Sequence, residues 1–234
     1  MPTIQVNDIH MYYEIHGEGK PLVLISGLGI DLSEFDGISR WLAQKYRVLA
    51  FDNRGAGRTD KPDISYSIEM MAQDTEALMN ALAIERASIL GISMGGRIAL
   101  ALALRHPERV EKLILVSTSA RVSNTKKRIW RLRLLGLLSS SPIFRSKYPQ
   151  PRYAFLRQLQ ASGGYNCTDR LRELIIPTII LHGKKDKIAP YALAEEMHVG
   201  IRGSQLLTFQ GGHLFFLISE RQQFLEATAE FLGS

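Results

Sequence analysis

The 234-residue sequence contains one cysteine, Cys167, so no disulfide can form within the chain. So little cysteine is typical of a protein from a reducing compartment. The first ten residues contain neither a basic stretch nor an apolar core of the kind found in secretory signals. No run of about 18 apolar residues occurs that could cross a bilayer. These absences predict a cytoplasmic protein, and Cys167, which lacks a glycine-flanked turn, is expected to be a packing residue.

Acidic residues are absent from residues 121–160, called the basic segment below, although it contains ten of the 29 lysines and arginines. The remainder of the chain carries 19 basic and 23 acidic residues, so the net charge of +6 belongs to this segment. Aromatic residues are too sparse among its first six charges for nucleic-acid binding. We therefore expect its leucines to cover apolar surface while its arginines face water.

Two other interpretations of the basic segment stay open. Its arginines could select an anionic substrate, or an amphipathic stretch containing Trp130 could contact an anionic membrane surface. The membrane interpretation is not favoured. Nothing in the sequence indicates the oligomeric state.

Short apolar runs alternate with helix-forming runs along most of the chain, which predicts an α/β fold with a doubly wound, mostly parallel sheet. The predicted helices include Phe35–Tyr46 and a helix capped by Ser67. The alternation stops between Val116 and Thr178. A segment of that size is too short to hold a core of its own. We therefore expect a single domain over residues 1–234, with a lid insertion at about residues 120–165.

The strongest chemical signal is Gly91-Ile92-Ser93-Met94-Gly95, which lies between an apolar run and a helix-forming run. A serine flanked by glycines in a sharp strand-to-helix turn is a nucleophile elbow. Such a turn exposes the serine Oγ and points the Met94 N–H, at a helix N-terminus, toward developing negative charge.

Three further residues follow apolar strands and complete a hydrolytic site. His213 can act as a general base for Ser93, and Asp186 can orient the histidine. The N–H of Leu28, in a glycine-rich loop, is a second candidate oxyanion donor. Asp52 is an alternative acid, but we expect Asp52 and Arg54 to form an ion pair that holds their own loop.

With these motifs, the chain resembles the α/β-hydrolase family over nearly its whole length. The matching stretches are Ser26–Gly29, Phe51–Thr59, the elbow, Leu181–Pro190 and Gly211–His213. The resemblance implies an eight-stranded, mostly parallel sheet and a Ser93–His213–Asp186 triad. One departure is Ser26, where the family often has histidine, and another is the short insertion.

Serine at position 93 excludes the aspartate-nucleophile branches of the family, and the elbow lacks the tryptophan of proline iminopeptidases. The resemblance is greatest to small carboxylesterases and enol-lactone hydrolases. We expect a small-molecule ester substrate, with C–C bond or enol-lactone hydrolysis as the alternative, and no metal or cofactor. A non-catalytic ligand-binding protein is the other class that stays open. Candidate pocket and lid residues are Gly27, Trp130, Leu134 and Leu138.

Overall fold

The computed structural model describes residues 2–122 and 147–234, and it contains an eight-stranded sheet in the order β1-β2-β4-β3-β5-β6-β7-β8. The first two pairings, β1 with β2 and β2 with β4, are antiparallel, and the other pairs are parallel. The strands are β1 (Thr3–Val6), β2 (Ile9–His16), β3 (Lys20–Ile25), β4 (Tyr46–Phe51), β5 (Ala87–Ile92), β6 (Val110–Val116), β7 (Thr178–Gly183) and β8 (Gln205–Phe209).

Helices cover both faces of this sheet. They are α1 (Asp36–Leu42), α2 (Ile68–Ala81), α3 (Met94–Arg105), α4 (Arg152–Gly164), α5 (Tyr191–Gly200) and α6 (Arg221–Gly233). Short 3₁₀ helices occupy Leu32–Phe35, Pro107–Arg109 and Thr168–Glu173. The predicted α/β fold class is therefore confirmed.

The sheet lies between two apolar cores. One contains Ile98 of α3 together with residues of α2 and α5, and the other contains Phe224 of α6 with residues of α1. Cys167 belongs to the first core, and burial raises the pKa of its thiol. That thiol is a packing group, as its sequence context predicts. Within residues 2–122 and 147–234, no helix is long and apolar enough to cross a membrane.

The predicted helix over Phe35–Tyr46 is wrong at both ends. A 3₁₀ turn precedes it, the α-helix ends at Leu42, and Tyr46 begins β4 opposite Lys20 of β3. The aromatic side chain suits a strand, and pairing with β3 decides the outcome. By contrast, Ser67 caps α2 as predicted, since its side chain accepts a hydrogen bond from the Met70 N–H.

The two ends of the expected lid insertion, at about residues 120 and 165, lie next to each other. Arg121, just after β6, forms an isolated antiparallel bridge with Asn166, just after α4. The carboxyl ends of the parallel strands β3, β5, β7 and β8 lie along one edge of the sheet, where ligand sites of such sheets form. The loops that follow these four strands carry the residues singled out by the sequence.

Candidate active site

Ser93 lies at the apex of the turn between β5 and α3, with φ 55° and ψ −114°. This is a strained backbone for a residue with a side chain, and such strain is found at functional sites. The flanking glycines allow the close approach that the turn requires. A Cβ on Gly95 would lie 2.1 Å from the Ile25 carbonyl oxygen, and one on Gly91 would lie 2.5 Å from the Gly95 carbonyl oxygen.

A chain of hydrogen bonds joins Ser93, His213 and Asp186. His213 Nε2 lies 3.0 Å from Ser93 Oγ, and His213 Nδ1 lies 2.7 Å from Asp186 Oδ2. A carboxylate oxygen can only accept, so Nδ1–H donates to Asp186 and Nε2 is free to accept from the serine hydroxyl. The structure thus brings together three residues that are far apart in the sequence, in an arrangement suited to removing the Ser93 proton.

Asp186 is held by three hydrogen-bond donors and contacts a buried histidine. Its Oδ1 accepts from the N–H groups of Ile188 and Ala189, at 2.7 and 2.8 Å. Its Oδ2 faces His213 and also lies 3.3 Å from Nε2 of the buried His182. Burial alone would raise the pKa of the Asp186 carboxyl. The contacts with His182 and His213, with the bond from Ala189, outweigh burial and hold the pKa well below its usual 3.8.

The two candidate oxyanion donors are the backbone N–H groups of Met94 and Leu28. Met94 is the first residue of α3, where N–H groups have no intrahelical partner. Leu28 lies in the loop after β3, and none of the described residues accepts a hydrogen bond from its N–H. Gly27 brings this loop close to the nucleophile, because a Cβ built on it would lie 3.4 Å from Ser93 Cβ.

The loop after β3, residues 26–30, is held by a buried asparagine. Asn53 Nδ2 donates to the Ser26 carbonyl oxygen at 3.0 Å and to Ser26 Oγ at 3.1 Å. Ser26 Oγ in turn donates to the Ile30 carbonyl oxygen. Ser26, at the position where the family often has histidine, therefore joins the two ends of this loop by a hydrogen bond. No local pattern in the sequence marks Asn53 for this role, because its partner is 27 residues away.

A model of the alpha/beta hydrolase fold family matches residues 20–153, which is more than half of the sequence. The chain belongs to the α/β-hydrolase family. Its similarity to individual members of this family extends over almost its entire length. It is 29% identical to the AB hydrolase superfamily protein YisY of Bacillus subtilis, over 97% of this chain and 96% of that protein.

Two solved structures are similar to all or nearly all of the chain. The enol-lactonase from Burkholderia xenovorans LB400 is 26% identical, with a TM-score of 0.90 and all of both chains covered. The esterase from Exiguobacterium antarcticum is 28% identical, with a TM-score of 0.88 and 99% of each chain covered. With the family match, these similarities show that the protein is a hydrolase.

Asp52, the alternative acid, is not brought together with the other site residues of this α/β hydrolase. It accepts hydrogen bonds from the N–H of Leu32 at 2.7 Å and from the N–H of Arg58 at 2.8 Å. Burial raises the pKa of its carboxyl, and these bonds do not fully offset the rise. The geometry therefore favours a role for Asp52 in holding the loop.

The expected ion pair between Asp52 and Arg54 is wrong. Asp52 pairs with Arg58, whose Nε lies 3.2 Å away. The fully buried Arg54 instead binds Asp74 at 2.7 Å and Asp8 at 2.6 Å. A buried guanidinium needs paired carboxylates, and α2 and the first hairpin supply them.

Of the candidate pocket and lid residues, Gly27 lies beside Ser93, while Trp130, Leu134 and Leu138 lie outside the described residues. Glu14, His16 and Asp36 offer ligand atoms within 4.8 Å of one another. Ion pairs already account for these groups: His16 and Arg58 contact Glu14, and Arg40 contacts Asp36. These three residues belong to β2 and α1, not to the loops that carry Ser93, Asp186 and His213.

Proposed function

We propose that the protein hydrolyses small carboxylic esters through an acyl-enzyme on Ser93. The observation that best supports this proposal is the continuous chain of hydrogen bonds from Ser93 Oγ through His213 to the buried carboxylate of Asp186. A serine hydroxyl is a weak nucleophile until an adjacent base takes its proton. His213 Nε2 is within hydrogen-bond distance of that proton.

In the first half-reaction, Ser93 Oγ attacks the ester carbonyl carbon while its proton passes to His213 Nε2. The carbonyl electron pair moves to oxygen, and the N–H groups of Leu28 and Met94 stabilise the resulting oxyanion. The tetrahedral intermediate collapses, the bond to the alcohol oxygen breaks, and His213 returns the proton to that oxygen. Asp186 holds the imidazole tautomer and stabilises the imidazolium.

In the second half-reaction, water takes the place of the alcohol. His213 removes a proton from the water as it attacks the acyl carbon, and then protonates Ser93 Oγ as the carboxylic acid leaves. No step requires a metal or a cofactor. The substrate that we propose is a small ester.

Enol-lactone hydrolysis is a second candidate, because the enol-lactonase from Burkholderia xenovorans LB400 is similar over the full length of both chains. A lactone is a cyclic ester, so the same residues would act on it. The two substrates differ in the fate of the leaving oxygen. A simple ester releases it with a separate alcohol, whereas in a lactone it stays in the same molecule as the acyl group. Comparing kcat/KM for p-nitrophenyl butyrate and for a five-membered enol-lactone distinguishes them.

The proposal is tested by assaying hydrolysis of p-nitrophenyl acetate and butyrate and by labelling with a fluorophosphonate. We expect turnover of both esters and one covalent adduct, located on Ser93 by peptide mass spectrometry. Ser93→Ala should show neither ester turnover nor the covalent adduct. A folded wild-type protein that neither turns over these esters nor forms the adduct, under conditions in which a control serine esterase does both, would instead support the non-catalytic alternative.

A further inference from the structure

Gln158 is a fully buried polar residue on α4, within the segment that we expect to be a lid. Its amide contacts two loops of the hydrolase core rather than its own helix. Oε1 accepts a hydrogen bond from the Gly29 N–H at 2.9 Å, and Nε2 donates to the Arg54 carbonyl oxygen at 2.7 Å. A buried amide with both ends paired fixes the position of its partners, because leaving either end unpaired is costly.

A second glutamine supports the first. Gln150 Nε2 donates to Gln158 Oε1 at 3.0 Å and to the Gly55 carbonyl oxygen at 2.6 Å. This bond orients the Gln158 amide so that its oxygen faces Gly29. The two glutamines thus join the end of the basic segment to the loop after β3 and to the loop after β4.

The backbone around Gly29 is packed directly against these residues. Gly29 has φ +72°, and a Cβ on it would lie 3.1 Å from Gln150 Oε1 and 3.1 Å from the Phe155 ring. The positive φ favours glycine here, and an added side chain would press against both neighbours. The loop after β3 is therefore held at two places: at Ser26 by Asn53, and at Gly29 by Gln158.

Leu28, the candidate oxyanion donor, lies between these two fixed points. The Gly29 N–H belongs to the peptide unit between Leu28 and Gly29, so its bond to Gln158 fixes that peptide plane. The neighbouring peptide unit, between Gly27 and Leu28, carries the Leu28 N–H. An oxyanion hole stabilises the transition state only when its donors are held in place beforehand.

We infer that Gln158 is a positioning residue for the oxyanion-hole donor at Leu28, which makes the docking of α4 a condition of catalysis. This inference rests on the proposed function. It also assigns part of the inserted segment a role in rate, beyond covering the substrate pocket.

A merely structural role for Gln158 predicts a different outcome. If Gln158 served only to anchor α4, its loss would lower thermal stability or raise KM, and kcat at a temperature where the variant is folded would not change. If it positions Leu28, its loss lowers kcat with little change in KM. It also weakens binding of ligands that develop an oxyanion.

The experiment uses Gln158→Leu, with Gln160→Leu as the control, since Gln160 is an exposed glutamine on the same helix. We measure kcat and KM for p-nitrophenyl acetate. We also measure the ratio of inhibition constants for a methyl ketone and the matching trifluoromethyl ketone, which adds to Ser93 as an oxyanion. Removing a whole oxyanion donor typically lowers kcat by about 100- to 1000-fold. For a donor that is loosened, we expect about a tenfold loss of kcat and of the ketone ratio.

A second variant, Gln150→Met, covers the case in which Gln158→Leu fails to fold, because Gln150 is only half-buried. It should show the same losses to a smaller extent. The inference is overturned if the folded variants match wild type in kcat and in the ketone ratio. If wild type itself shows no ester turnover and no Ser93 adduct, the proposed function fails, and this inference fails with it.

Discussion

His182 and Asp186 meet across the turn that follows β7, with His182 Nε2 3.3 Å from Asp186 Oδ2 and both side chains fully buried. The same nitrogen lies 2.7 Å from the Ala189 carbonyl oxygen. A carbonyl oxygen only accepts, so Nε2 carries a proton, which it donates to Ala189 while lying beside the Asp186 carboxylate. Among the described residues, Nδ1 of His182 has no hydrogen-bond partner. One N–H group therefore closes the turn and supports the acid.

Replacing His182 tests this arrangement. His182→Phe keeps a ring in contact with Tyr191 but removes the N–H that donates to Ala189 and lies beside Asp186. Leaving a buried acceptor unpaired costs about 1–3 kcal/mol. We expect urea denaturation to show a loss of that size, together with about a tenfold lower kcat because Asp186 is held less firmly. His182→Gln, which restores an amide donor, should recover most of both. A wild-type kcat in His182→Phe would contradict the prediction.

The two candidate acids are separated by matched substitutions. Asp186→Asn removes the charge that orients His213, and loss of the correct tautomer lowers kcat by about 10⁴ in a comparable triad. Asp52→Asn removes an acceptor from Leu32 and Arg58 and should cost about 1–3 kcal/mol of stability while kcat stays within about tenfold. Kinetics at saturating ester and urea denaturation measure both effects. A folded but inactive Asp52→Asn beside an active Asp186→Asn would reverse the assignment.

The sheet and the gathering of Ser93, Asp186 and His213 could be predicted from the sequence because each residue follows an apolar strand. Parallel strands bring their carboxyl ends to one edge, so local patterns were sufficient. The roles of these residues stay predictions until they are assayed.

The supporting contacts could not be predicted in this way. Gln158 and Gly29 are 129 residues apart, and nothing local marks either as the partner of the other. The expected partner of Arg54 was wrong for the same reason, since Asp74 reaches it from α2 only in the folded chain. The end of α1 was missed because the pairing of Tyr46 with Lys20 is a tertiary contact.

Gly95 offers a test of the elbow that keeps every reactive side chain. In Gly95→Ala, the added methyl would lie 2.1 Å from the Ile25 carbonyl oxygen and 2.7 Å from the Ile25 carbonyl carbon, so β3 or α3 has to shift. Overpacking of this kind costs about 1–3 kcal/mol. A displacement of about 1 Å at a reacting centre lowers the rate by about 100-fold. We therefore expect kcat of Gly95→Ala to fall by about that factor.

The control for this prediction is Gly164→Ala at the end of α4, where an added Cβ has nothing within 4 Å. It should keep wild-type kcat and be unchanged or slightly more stable, since alanine favours a helix more than glycine does. Thermal denaturation and ester kinetics measure both variants. Equal kcat in Gly95→Ala and wild type would show that the close contact with β3 is not needed for activity.

The lowered pKa of Asp186 makes the stability of the protein depend on pH in a defined direction. An unfolded aspartate titrates near its ordinary 3.8, whereas the folded carboxyl stays ionised to lower pH. The extra stability is therefore complete above pH 3.8 and is lost as the pH falls toward the folded pKa. In that interval, the unfolded chain binds a proton that the folded chain does not. The free energy of unfolding then decreases by about 1.4 kcal/mol per pH unit.

Asp186→Asn lacks this titration, and the other carboxyl groups are common to both proteins, so the comparison at acid pH follows the Asp186 carboxyl. We expect the difference in unfolding free energy between wild type and Asp186→Asn to fall as the pH is lowered below 4, as measured by urea denaturation at a series of pH values. A raised folded pKa would have the opposite sign. In that case the difference would grow as the pH decreased, because the folded protein would take up its proton first.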